Sequence, residues 1–238
     1  MLKEYKLYGE ESIIRFDDER HRFYGQEGES LISVTGITGV VDKSGPLMYW
    51  AINLMRDYLI PRVNGGITEE DVLEASKQHR IFKKKAADIG TQIHEWVSNW
   101  ILGKKPKMPD DEKVVNGITA FLKFQKEHKI KWLESEKIVY SRKYHYAGIL
   151  DAIGKIGKEL ILIDFKSSNG IYDEMRFQVA AYQIAYEEET KKNIDKRIIA
   201  RFGKETGEFE AIELDNDEAD KKAFLACLQL KNRLKELK

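Results

Sequence analysis

The stretch GILDAIGKIGKELILIDFKSS, residues 148–168, is two runs rich in aliphatic residues joined by Gly157-Lys158. A two-residue turn at that point pairs Ile156 with Glu159. Carried outward, the antiparallel register sets Asp151 directly opposite Asp164, with Cβ atoms about 4.5–5.5 Å apart. Alternation along the second run places Asp164 and Lys166 on one face and leaves Ile161, Ile163 and Phe165 to fill a core on the other. Two facing carboxylates repel unless a cation lies between them or one takes up a proton. A hard divalent ion resolves the conflict, and oxygen ligands with open positions suit magnesium, with manganese able to substitute. A lysine alongside can orient or deprotonate a water, or steady charge developing on a phosphate.

Working outward, EKIVYS from Glu136 supplies a third strand before this hairpin, and a helix over about 173–189 follows it. Strands are expected near 196–202 and 208–214, with a closing helix over 216–237. Upstream, residues 12–24 alternate around an Asp-Asp-Glu-Arg turn and predict a hairpin. LISVTGITGVV, residues 31–41, reads as extended chain leading into a helix over about 46–60, with Pro46 in its first turn. Thr68 before Glu69-Glu70-Asp71 marks a capped start to one or two helices over 68–102. Another amphipathic helix is expected at about 110–129. This order predicts an α/β fold, a mixed central sheet flanked by helices, in one domain over 1–238 with residues 46–130 as a mainly helical cap or arch.

Composition narrows the chemistry. Of 238 residues, 42% are apolar and 34% charged, and no run approaches the length of about 20 apolar residues that spans a bilayer. MLKEYKLYGEES lacks the apolar core of a signal peptide, and the single cysteine, Cys227, excludes a disulfide or a cysteine-built cluster within one chain. An intracellular setting, such as bacterial or phage-infected cytoplasm, is the expectation. Lys+Arg and Asp+Glu both total 40, so a nucleic-acid partner would have to be met by local concentrations of charge. Such concentrations occur at Lys83, Lys84 and Lys85, at Lys104, Lys105 and Lys107, and at Arg142 and Lys143.

Five segments in this order resemble the RecB-like branch of the PD-(D/E)xK nucleases: Gly90-Thr-Gln-Ile-His94, Glu136-Lys-Ile-Val-Tyr-Ser, Gly148-Ile-Leu-Asp151, Ile163-Asp164-Phe-Lys166 and Gln178-Val-Ala-Ala-Tyr182. Ser33-Val-Thr35 is similar to a stretch seen in phage and mitochondrial genome maintenance exonucleases of that branch. The resemblance covers about residues 31–186 and implies a restriction-endonuclease-like fold. It implies Asp151 and Asp164 as metal ligands, with the Phe165 carbonyl, His94 and Glu136 contributing, and Lys166 as the catalytic lysine. Alternation alone does not choose between Glu134 and Glu136; the phrase that follows fits better from Glu136. Gln178 and Tyr182, one helical turn apart, would adjoin the active site.

What the resemblance implies for function is a Mg2+-dependent DNA exonuclease serving recombination, repair or replication, with DNA as partner, as a single strand or strand ends. The alternatives are a structure-selective or site-specific endonuclease on the same fold and a non-catalytic DNA-binding protein. Iron–sulfur members of the branch need four cysteines, so no cluster is expected here. No phosphate-binding Walker motif is present, so no attached ATP-driven helicase is expected. Substrate contacts are expected from the lysine clusters, Arg142 and Lys143, and from Ser33 and Thr35. Trp50, Trp96 and Trp100 are candidates for stacking against unpaired bases.

Overall fold

Residues 1–237 are described in the structure, a computed structural model of the chain. It divides into two compact units: 1–40 together with 93 onward, and 41–92. In the first unit the chain opens with three antiparallel strands, β1 (Leu2–Leu7), β2 (Ser12–Asp17) and β3 (Arg22–Tyr24), then β4 (Ser30–Ser33) and the short helix α1 (Val34–Thr38). The second unit holds α2 (Ser44–Leu59), a 3-10 turn at Ile60–Gly65 and the start of α3 (Glu69–Ile101). From Ile93 onward α3 belongs to the first unit. There follow α4 (Glu112–His128), β5 (Lys131–Ser141), β6 (Tyr146–Ile156), β7 (Glu159–Lys166), α5 (Asp173–Thr190), β8 (Lys196–Phe202), β9 (Phe209–Glu213) and α6 (Asp217–Glu236).

The strands form one mixed sheet in the order β1-β2-β3-β4-β6-β7-β8-β9, with β5 along the other edge of β6. The β6–β7 turn is two residues long, with Ile156 opposite Glu159. Gly157 supplies the left-handed conformation this turn requires, at φ +61°. The pairing of β6 decides where a site can exist. β5 runs antiparallel along one edge. The opposite edge is shared: β4 pairs in parallel at Tyr146 and Ala147, and β7 pairs from Ala152 to Ile156. Residues 148–151 therefore lie in a fork between two strands. The ladder stops at Ala152–Ile163, one pair short of the expected Asp151–Asp164 opposition, because β7 is drawn off by its parallel partner β8, paired through Lys166.

Helices cover both faces of the central strands. On one side Leu150, Leu160 and Leu162 pack with Val179, Tyr182, Tyr186 and Phe224 from α5 and α6, and with Val34 and Ile37 of α1. On the other, Phe121 and Phe124 of α4 meet Phe165 and Phe202 with ring centroids 5.8–5.9 Å apart. Both α4 rings are fully buried, and each contributes about 1.5–3 kcal/mol by leaving water. Gly117 lets α4 approach closely, since a Cβ there would stand 2.3 Å from Ile93 Cδ1. Asp111 begins α4 by accepting from the Lys113 and Val114 amides.

One further expectation needs correction. Residues 34–38 are helical, not extended: Ser33 Oγ accepts the Gly36 amide at 3.0 Å, and Val34 and Ile37 are completely buried. Capping and burial together override the β-branched composition. Leu2–Leu7 adds an edge strand ahead of the expected 12–24 hairpin. Within the helical stretch 46–130, α4 and the end of α3 contribute to the core of the sheet-bearing unit. In the second unit, α2 buries none of its residues. Arg62 there stacks on Tyr58 at 3.7 Å and pairs with Asp71 at 3.3 Å, and the Thr68 hydroxyl accepts from the Asp71 amide at 3.2 Å.

Candidate active site

The fork in β6 gathers the acidic residues. Asp151 sits at its open end, where its Oδ2 accepts the Phe165 amide at 2.6 Å. That bond takes the place of the missing strand pair and fixes the carboxylate between β6 and β7. Its other oxygen lies 3.5 Å from His94 Nδ1 on α3. Glu136 comes from β5, and one ligand atom each from His94, Glu136 and Asp151 lie within 4.8 Å of one another. Asp164 is 1% exposed and contacts Lys166 Nζ at 2.5 Å. Lys166 also donates to Gln178 Oε1 at 3.2 Å, and Gln178 Nε2 donates to the Tyr182 hydroxyl at 2.8 Å. Seven side chains from α3, β5, β6, β7 and α5 thus form one connected group.

Glu136 reaches the group through an irregularity. It has φ +50°, in the left-handed region that ordinary residues avoid, and β5 shifts register against β6 just before it, between Trp132 and Glu134. Alternation is broken as a result. Glu134 points elsewhere, accepting from the Tyr186 hydroxyl at 3.1 Å and pairing with Lys137 at 2.8 Å. The two glutamates do not share a side, as an unbroken strand would require.

Electrostatically the group is short of positive charge. Burial, with repulsion from Asp151, pushes Asp164 up to about 6 despite Lys166 beside it. Glu136 is open to solvent on one side, yet the protein packed on its other side and the Asp151 charge push it up to about 7. Burial favours the neutral form of Asp151, but His94, Lys166 and the Phe165 amide outweigh it and hold the carboxyl below its ordinary value. Burial favours neutral His94 and neutral Lys166 as well. The carboxylates prevail in both cases and raise the two above their ordinary values. The Tyr182 hydroxyl is driven well above its usual range by burial and by Asp164.

These features bear on whether a cation fits. Asp164 is buried with no donor to Oδ1 and only the Lys166 ammonium against Oδ2, a costly state for a carboxylate unless another partner is supplied. With Glu136 and Asp151 nearby and His94 as a nitrogen donor, the set is oxygen-rich with one imidazole, and it fits magnesium or manganese.

The remaining sequence candidates are scattered. Phe165 contributes its amide, and its ring is buried. Trp96 is 7% exposed, stacked on Trp100 and hydrogen-bonded to the Lys107 carbonyl, so it is core and offers no face to a base. Trp100 keeps 38% exposure. Lys104 and Lys105 are exposed in the segment after α3, and Lys83, Lys84 and Lys85 are exposed in the second unit, where Trp50 also lies. Arg142 and Lys143 follow the end of β5, about 17 Å along the strand from Glu136. Arg142 is occupied there by Ser12, Glu11 and the Tyr8 ring. Ser33 and Thr35 hydroxyls lie 3.4 Å apart at the start of α1. One contributor escaped the sequence reading: Glu174 acts on Lys166 electrostatically. Its spacing of four residues before Gln178 and eight before Tyr182 is the signal that places it on their face of α5.

No protein-family model matches the chain, and no curated protein matches it. Among solved structures, the chain is similar to an alkaline exonuclease, LHK-Exo, from Laribacter hongkongensis, at 12% identity and a TM-score of 0.33, over 64% of this chain and 93% of that one. It is also similar to SSO0001 at 13% identity and a TM-score of 0.29, over 48% of this chain and 57% of that one. The second match thus spans little more than half the length of its counterpart. Among the described residues, no helix is long and apolar enough to cross a membrane.

Proposed function

We propose that the chain is a divalent-metal-dependent deoxyribonuclease of the PD-(D/E)xK class, RecB-like branch, hydrolysing phosphodiester bonds as an exonuclease on single-stranded DNA or strand ends. The observation that carries the reading is the surplus of carboxylate in the β6 fork, with Asp164 buried, its Oδ1 without a donor and its Oδ2 against Lys166. Asp151, Glu136 and His94, with Asp164 adjoining, would hold magnesium or manganese, which supplies charge neutralisation at the phosphate and an acidified water.

The chain's own groups do the rest. The Phe165 amide locks the Asp151 carboxylate in one orientation, so little reorganisation is needed when a substrate arrives. Lys166, raised above its ordinary value by burial overcome by Asp164 and Asp151, is an ammonium at neutral pH. It therefore donates to developing negative charge on a phosphate oxygen instead of removing a proton. Gln178 holds Lys166 from the other side and is itself held by Tyr182, which fixes the direction of that donation.

End-labelled linear and closed-circular single strands, incubated with and without magnesium, test this reading. The linear strand should shorten from an end with magnesium only, and the circle should survive. Cleavage of the circle would make the enzyme an endonuclease, and an intact linear strand with magnesium would refute nuclease activity.

A further inference from the structure

A cavity of about 200 Å³ opens next to the catalytic group, in the sheet-bearing unit, lined by Phe16, His21, Phe23, Ser33, Thr35 and Tyr182 among others. We infer that it is a subsite for a single unpaired nucleobase of the strand being cut, an inference that rests on the nuclease reading above.

Four observations carry it. The first is position. Tyr182 lines the cavity and also accepts from Gln178, which holds Lys166. Gly148, also in its wall, lies three residues before Asp151 on β6, about 10 Å away along the strand. A nucleotide beside the reacting phosphate reaches it. The second is shape. The volume is below the roughly 300 Å³ at which pockets for drug-sized ligands begin, so one base fits and a dinucleotide does not.

The third is chemistry. Among the described residues lining the cavity there is no lysine or arginine, so a phosphate would enter without a fixed countercharge. The walls are instead aromatic. Phe16 and Phe23, 5% and 4% exposed, are core rings packed at 4.7 Å that back the cavity, and exposed His21, edge-on to Phe16 at 5.8 Å, is the ring left free to meet a base. Such walls favour a flat heteroaromatic ring. The Ser33 and Thr35 hydroxyls, which can each donate or accept, meet a base edge without selecting one base over another. That suits an enzyme that must pass every sequence. The fourth is construction. A Cβ at Gly148 would stand 2.7 Å from the Tyr182 ring and 2.9 Å from Val34 Cγ2, so the absence of a side chain there keeps the Tyr182 side of the cavity as it is.

The test walks one abasic residue along a short single strand and titrates each oligonucleotide against Asp164→Asn protein by fluorescence anisotropy, with magnesium-dependent cleavage by the unaltered protein read in parallel. One position near the cut should cost roughly tenfold in affinity and its neighbours much less. His21→Ala, or Thr35→Val as a second exposed-residue variant, should weaken binding of the complete strand. Their losses should not multiply with the loss from the missing base, as expected of groups that touch each other. A uniform loss along the strand, or losses that multiply fully, overturns the subsite while leaving the nuclease reading intact. Failure of the unaltered protein to cleave the complete strand overturns that reading, and the subsite with it.

Discussion

Lys166 holds its place by two contacts, to Asp164 at 2.5 Å and to Gln178 at 3.2 Å, and neither involves the His94–Glu136–Asp151 group directly. Replacing it separates catalysis from ion binding. Lys166→Met should lower the cleavage rate by about 10²–10³-fold, the cost of losing one preorganised donor to developing charge. Manganese affinity should stay within a few-fold of the unaltered protein; a parallel collapse of ion binding would make Lys166 a structural residue. Protonation offers a second test at this scale. Asp164 and Glu136 both titrate above ordinary carboxylates, near 6 and near 7. Raised acids contribute stability that is complete below their unfolded values and is lost as pH rises through the folded values. The metal-free protein should therefore lose thermal stability between about pH 4.5 and 7. Ion binding removes the repulsion, so the rise in Tm on adding magnesium should be larger at pH 8 than at pH 6, measurable by scanning fluorimetry. An equal rise at both values would contradict the assignment of these two acids.

At the scale of elements, the site depends on α3 and α4 packing closely enough to bring His94 to Asp151. Gly117 permits that approach, with Ile93 Cδ1 standing where a Cβ would be. Gly117→Val should cost about 1–3 kcal/mol in denaturant unfolding, as overpacking does. It should also reduce activity beyond the loss of folded protein, because Ile93 precedes His94. The β6–β7 hairpin was legible because Gly157-Lys158 fixes the register and alternation then places Asp164 with Lys166. The helix after it was legible from its own spacing, and Gln178 and Tyr182 fall on one face of it. What was not legible depends on neighbours distant in sequence. Glu136 is separated from Glu134 by a left-handed backbone step that alternation does not encode. The ladder stops short of Asp151 where β7 runs on beside β8 and β4 takes the start of the same β6 edge. Ser33 starts a helix where composition alone favours a strand.

For the molecule as a whole, equal numbers of basic and acidic residues, 40 each, leave no long-range attraction toward a polyanion, so substrate capture relies on local groups. A bound ion should then matter for stability as well as for chemistry, since anything that binds only the folded state stabilises it by mass action, about 2.7 kcal/mol at a hundred times its Kd. The central claim is that Asp151, with Glu136, His94 and Asp164, holds one divalent cation that the reaction requires. The most direct test is a manganese titration followed by the paramagnetic resonance of the free ion, on the unaltered protein and on Asp151→Asn. A saturable site in the first, lost or weakened at least tenfold in the second together with cleavage of a single strand, is the predicted result. Equal binding by both proteins, or full cleavage by Asp151→Asn, would contradict it.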